Sequence, residues 1–184
     1  MMERQSARLR WLTNGALAIL MGTAAAGVLA GEPLNQRQLS EPDVVAQWLR
    51  DNPEGVDKKG AAFSFNEGLK YKSKKYWSAA AKSFGESAIR NPTPQVLTEY
   101  VAANLRMLGE IRARNGNTSL GVERDMDYAL MQYQTVMAAD NVLGALSAHD
   151  KTRVEADIAC LTDYARTRLA PAGCQPFELY GMQP

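Results

Sequence analysis

The segment at residues 68–92 constrains the fold most, because its apolar residues recur with helical spacing. They stand at i, i+3, i+4, i+7 and i+11, as Trp77, Ala80, Ala81, Phe84 and Ala88. With 3.6 residues per turn, this spacing puts all of them on one face of a helix. Such a face has to be buried against another element, so the segment predicts helix-on-helix packing.

Further helices are predicted on both sides of this segment. A short first helix has Ser40 as its N-cap and Pro42 in its first turn, positions that these residue types favour. The others are expected at about residues 58–72, 75–90, 94–114, 122–139 and 150–169. No segment of the sequence alternates apolar and polar residues with the Val, Ile and Thr enrichment of a strand. The fold class is therefore predicted to be all-α.

The central helix pair carries small, aromatic and proline residues at regular positions: Gly68, Tyr71, Ala80, Phe84 and Pro92. Their spacing resembles the tetratricopeptide repeat, a helix pair of about 34 residues. A weaker second unit extends the resemblance over residues 61–140, with Ala102 at the small position and a connection about 15 residues longer than the repeat has. The resemblance implies antiparallel helix hairpins stacked in a right-handed array. The alternative is an ordinary helical bundle.

The resemblance also implies where a partner would bind. In such repeats a groove is lined from the first helix of each pair. The corresponding residues here are Phe65, Leu69, Lys72, Glu99, Ala103 and Arg106. Trp77 and Phe84 are assigned instead to the contact that holds the first helix pair together. The groove is expected to take a peptide or a protein partner, and no cofactor.

The N-terminal segment has the order of an export signal. Arg4, Arg8 and Arg10 precede an apolar run at residues 15–30, which ends in small residues. This order predicts a signal peptide cleaved after Ala30 or, alternatively, after Ala26. The mature protein would then be soluble, without a stable membrane span, in the periplasm or outside the cell. The alternative is an inner-membrane anchor, because the uncharged stretch at 11–31 approaches the length needed to span a bilayer.

The chain has two cysteines, Cys160 and Cys174, and an exported protein meets an oxidising compartment. Between them, Pro171 and Gly173 turn the chain back after the last predicted helix. The sequence therefore predicts a disulfide that ties the C-terminal tail to this helix. A redox or metal site is not expected, because there is no CxxC motif and His149 is the only histidine.

Catalytic motifs are not found in the sequence. It has no Gly-rich loop after a strand, no nucleophile elbow and no His/Cys cluster with metal-ligand spacing, so an enzyme, a cofactor and a metal are not expected. The net charge of +1 gives no overall bias towards nucleic acid. One local cluster is basic, formed by Lys70, Lys72, Lys74, Lys75 and Lys82. It is either a solvated end of a helix hairpin or a patch for an acidic peptide or an anionic envelope polymer.

These observations divide the chain into a signal peptide (1–30), a lead-in with a short helix (31–56), the helix pairs (57–142) and a C-terminal helix with a disulfide-tied tail (143–184). The predicted function is that of an exported, non-enzymatic interaction module that binds a peptide or protein partner in an envelope or secretion-related assembly. The alternative is a small exported inhibitor or immunity-type protein, which would block one enzyme through a protruding loop at 115–121.

Overall fold

The computed structural model describes residues 31–116 and 119–182, and within these ranges every regular element is helical. After a short 3-10 turn at Gln38–Ser40 come α1 (Pro42–Asp51), α2 (Lys58–Ser73), α3 (Trp77–Ala88), α4 (Pro94–Asn115), α5 (Ser119–Leu143), α6 (Ala148–Thr167) and α7 (Gln175–Leu179). The predicted all-α class is confirmed. The predicted export signal at 1–30 lies outside the described residues.

From α2 to α6, each helix packs against the next one in the chain. The first helix is the exception, because α1 packs against α5. Its apolar face, formed by Val45, Trp48 and Leu49, is almost fully buried and belongs to the same core as the longer helices. The lead-in is thus an integral part of the core that the later helices build.

Side-chain caps define the starts of three helices, α2, α4 and α6. Thr93 accepts a hydrogen bond from the backbone N–H of Val96 at the start of α4, and Ser147 does the same for Asp150 at the start of α6. The prediction for α1 is wrong by one position. Its N-cap is Glu41, which makes no side-chain cap bond, while Ser40 lies in the 3-10 turn and donates its hydroxyl to the Arg37 carbonyl.

The turns around α5 are shorter than predicted. Helix α4 continues to Asn115 and α5 already begins at Ser119, so much of the expected loop at 115–121 is helical. Gly116 ends α4 with a φ of 78°, a conformation that glycine adopts without steric penalty. The extra residues of the predicted connection therefore mainly lengthen the two helices.

The C-terminal tail is tied to α6 as predicted. Cys160 and Cys174 form a disulfide with a Cα–Cα distance of 6.0 Å. The tail contains a helix that the sequence did not predict, α7, which packs against α4 and α6. Its Phe177 ring contacts the Tyr164 ring of α6 edge-on, with 4.8 Å between ring centroids. None of the helices in the described residues combines the length and apolar character needed to cross a membrane.

Candidate functional site

A cleft of about 240 Å³ is lined by residues of helices α2 to α7. Its lining residues from α2, α3 and α4 are here called the first wall, and those from α5, α6 and α7 the opposite wall. The residues used in the argument below are Lys72, Trp77, Glu99, Ala103, Arg106, Tyr133, Arg153, Asp157, Gln175 and Leu179.

The structure brings most of the sequence-predicted binding residues into this cleft. They are Lys72, Glu99, Ala103 and Arg106. Phe65 and Leu69 lie elsewhere. The Phe65 ring packs against Phe84 with 5.5 Å between centroids, which makes it part of the contact between α2 and α3. Leu69 is 39% exposed on the outer side of α2.

An ion pair joins α2 and α4 in the first wall. The Lys72 ammonium donates to both carboxylate oxygens of Glu99, at 2.8 Å to Oε1 and 2.6 Å to Oε2. Both side chains remain partly exposed, so the pair adds little to the free energy of unfolding. It fixes a positive and a negative group side by side at the edge of the cleft.

Trp77 is placed differently from its prediction as a core residue. It is only partly buried and lines the cleft, where the Arg106 guanidinium lies 4.9 Å from the centroid of its ring. Phe84, seven residues further along α3, is fully buried as predicted. The difference arises because Trp77 is the first residue of α3, where the helix has not yet entered the core. The cation–π contact orients Arg106 in the cleft.

Asp157 is a buried carboxyl group in the opposite wall, and only 5% of its surface is exposed. Burial raises the pKa of Asp157 to about 6, against the opposing effects of a hydrogen bond from the Tyr133 hydroxyl and the positive charge of Arg153. Burial likewise raises the pKa of Tyr133, so the phenol stays protonated and can donate to this carboxylate. The Asp157 carboxyl therefore stays protonated to a higher pH than an exposed aspartate does.

The spacing of residues on α6 could have identified Asp157 as a candidate site residue from the sequence. On α6 the buried residues are Val154, Asp157, Leu161 and Tyr164, at i, i+3, i+7 and i+10. A carboxyl group in an otherwise apolar stripe has to be buried, and buried ionisable groups with shifted pKa values concentrate at functional sites. The contribution of α7 had no such signal, because the helix is short and its position depends on tertiary packing.

Helix α7 contributes Gln175 and Leu179 to the lining of the cleft. The disulfide ties this helix to α6, because Cys174 is the residue immediately before it. The cleft is thus lined by cationic groups, carboxylates and apolar side chains. Among the described residues, no group of three or more His, Cys, Asp or Glu side chains could hold a metal ion.

Comparison with protein families, curated proteins and solved structures finds no match to this chain.

Proposed function

We propose that the chain is an exported, non-enzymatic interaction module, built of tetratricopeptide-like helix hairpins, which binds a peptide or protein partner in the cleft. Such a partner would belong to an envelope or secretion-related assembly. The observation that carries the proposal is the clustering of Lys72, Glu99, Ala103 and Arg106 on one wall of the cleft. The sequence independently predicts these four residues as binding residues.

The chemistry of the cleft favours a peptide segment as its occupant. A peptide presents N–H and C=O groups along its backbone together with side chains of varied polarity. The cleft has donors in Lys72, Arg106 and Arg153, acceptors in Glu99 and Asp157, and apolar surface on α4 and α6. A site with a few placed polar groups on an apolar background is typical of recognition.

The carboxylates of the cleft are held by neighbouring side chains. Lys72 donates to both oxygens of Glu99, and the neighbouring Tyr133 hydroxyl lowers the pKa of Asp157. A general acid or base has to reach the substrate with its own oxygen. Carboxylates engaged in this way are more typical of a structural network around a binding site, where shifted pKa values also occur. This argument supports a binding function over catalysis.

The proposed address in the periplasm or outside the cell rests on the arginine–apolar–small order of residues 1–30 and is supported by the Cys160–Cys174 disulfide. N-terminal sequencing of the chain produced in a bacterial host tests it. We expect the mature protein to begin at Gly31 and to be recovered with the soluble periplasmic or secreted fraction. An intact Met1 in the membrane fraction would contradict cleavage and favour the anchored alternative.

The binding site can be tested with peptides selected from a random displayed library against the oxidised protein. We expect the Lys72→Ala variant, which disrupts the cleft ion pair, to weaken binding of the selected peptides at least several-fold. Lys70→Ala is a matched control, because Lys70 lies on the same helix and also pairs with a glutamate, Glu67, but outside the cleft. Fluorescence anisotropy gives the dissociation constants. Equal loss for both variants, or selected peptides insensitive to Arg106→Ala, would argue against this site.

A further inference from the structure

The outward side of α2 forms a surface distinct from the cleft, here called the outer face of α2. It consists of Lys59, Ala62, Phe63, Asn66, Leu69 and Lys70, which share one side of the helix by their spacing and are all exposed. Phe63 is 68% exposed and Leu69 is 39% exposed. These side chains are large apolar groups that the core does not use.

Positive charge surrounds this apolar surface. The outer face of α2 carries no acidic residue, and the turn that follows it adds Lys74 and Lys75 beside Tyr76, whose exposed fraction is 60%. Lys70 is paired with Glu67. In the described part of the chain, no ion pair involves Lys59, Lys74 or Lys75. Their charge is therefore available to an anionic partner.

We propose that the outer face of α2 docks on the surface of an anionic membrane, with Phe63 and Leu69 entering the interface and the lysines contacting lipid headgroups. A helix that combines apolar side chains with surrounding lysines binds in this way, through buried apolar area and attraction to anionic lipid. An acidic peptide or polymer would neutralise the lysines but leave Phe63 in water. A bilayer interface accommodates both features.

The path of the chain supports this occupant. Residue Gly31 donates its N–H to the Asn52 side chain at the end of α1, at 2.7 Å, and α2 begins shortly afterwards at Lys58. The apolar run at 15–30 therefore joins the fold close to the start of α2. During export, before the proposed cleavage after Ala30, this segment would hold the start of α2 near the membrane. The docking proposal is independent of the proposed peptide-binding function, because it uses none of the cleft residues.

A fluorescent reporter tests whether the outer face of α2 enters the interface. In the full chain as the host produces it, Phe63→Cys provides the one thiol outside the disulfide for an environment-sensitive dye. We expect the emission to shift to the blue with vesicles of phosphatidylglycerol and phosphatidylethanolamine, and not with phosphatidylcholine alone. The control is Leu169→Cys, which replaces a residue 73% exposed after α6. An equal shift for both labels, or no shift at Phe63, would overturn the proposal.

The role of charge is tested by a triple variant, Lys59→Gln, Lys74→Gln and Lys75→Gln, in the labelled chain. A lysine near an anionic surface contributes about fivefold in affinity, so we expect the apparent affinity for vesicles to fall by about two orders of magnitude. The control exchanges Arg114, Arg124 and Arg166 for Gln, an equal charge change at exposed positions elsewhere. An unchanged affinity of the lysine variant would contradict docking by charge. Binding of soluble polyglutamate without a response to vesicles would assign the patch to an acidic polymer instead.

Discussion

The backbone of Gly68 lies directly against the ring of Phe84. A Cβ atom placed on Gly68 would stand 2.6 Å from both Cδ1 and Cε1 of that ring, closer than carbon atoms approach one another. Helices α2 and α3 therefore pack closely at this point, because Gly68 has no side chain and the fully buried ring of Phe84 occupies the space beside it. The sequence-based assignment of Gly68 as the small residue at this crossing is confirmed.

Both sides of this contact are expected to be sensitive to substitution. Phe84→Ala should lower the free energy of unfolding by about 3–5 kcal/mol because it leaves a cavity, and Gly68→Ala by about 1–3 kcal/mol because the added methyl group displaces the ring. Asn66→Ala is the control, since it is exposed on the same helix. Urea unfolding measures all three. A Gly68→Ala protein as stable as the control would contradict the close packing.

The disulfide is expected to stabilise the fold by closing the loop between α6 and α7. Cys160 and Cys174 are separated by 14 positions, and closing a loop of this size contributes about 3 kcal/mol in the chain-entropy description. A non-reduced digest should show one linked peptide in mass spectrometry, and a reducing agent should lower the unfolding midpoint. The double variant Cys160→Ser, Cys174→Ser should not respond to the reductant. Two free thiols in periplasmically expressed protein would contradict the pairing.

Asp157 should make stability depend on pH. Its pKa is raised from 3.8 to about 6, so between these pH values the folded protein binds more protons at this site than the unfolded chain. Stability then falls as pH rises through this window, by up to about 3 kcal/mol. Asp157→Asn keeps an acceptor for Tyr133, and we expect it to be more stable than the wild type at pH 7 but not at pH 4.

The matched control for this prediction is Asp163→Asn, an exposed carboxyl on the same helix. Unfolding free energies measured from pH 4 to pH 8 give the comparison. If wild type and Asp157→Asn showed the same pH profile, the carboxyl would not be the titrating group.

The tail lies directly against α4 at Gly109. A Cβ atom there would stand 2.2 Å from the Tyr180 carbonyl oxygen, and backbone cannot move aside as a flexible side chain can. We expect Gly109→Ala to displace α7 and to break the hydrogen bond from Arg112 to the Gly181 carbonyl. Chymotrypsin, which can cut after Phe177 or Tyr180, should then cleave the tail faster than in the neighbouring control Glu110→Ala. Equal cleavage rates would show that the tail does not depend on this approach.

Local pattern was enough to predict helices α1 to α6, but not α7 and not every helix end. Helix α4 begins at Pro94, as predicted, and the structure adds a cap from the Thr93 side chain. The sequence predicts Ser40 as the N-cap of α1, because serine favours this position. In the structure Ser40 belongs to the preceding 3-10 turn, where its hydroxyl donates to the Arg37 carbonyl. Leu39 of this 3-10 turn is buried in the core, so the position of the turn depends on tertiary packing and not on local sequence.

The cleft was predicted on one wall only, for a physical reason. The sequence predicts Lys72, Glu99 and Arg106 as binding residues from the resemblance to a helical repeat, in which the first helix of each pair lines a groove. Arg153 and Asp157 reach the same cleft through α6, whose position opposite α4 no local pattern specifies. The side chains that gave the most specific chemistry therefore came from long-range packing.

The contact of α1 with α5 limits the order in which parts of the chain can fold. Ribosomes release a chain from its N-terminus, so Val45 and Trp48 appear long before the helix that buries them. A hydrogen bond from Tyr100 to Gln36, 64 residues earlier, ties the same lead-in to α4. Contacts between distant parts of a chain form slowly, since a long loop must be closed first. The apolar face of α1 therefore stays without its packing partner until synthesis has reached α5, more than half of the chain later.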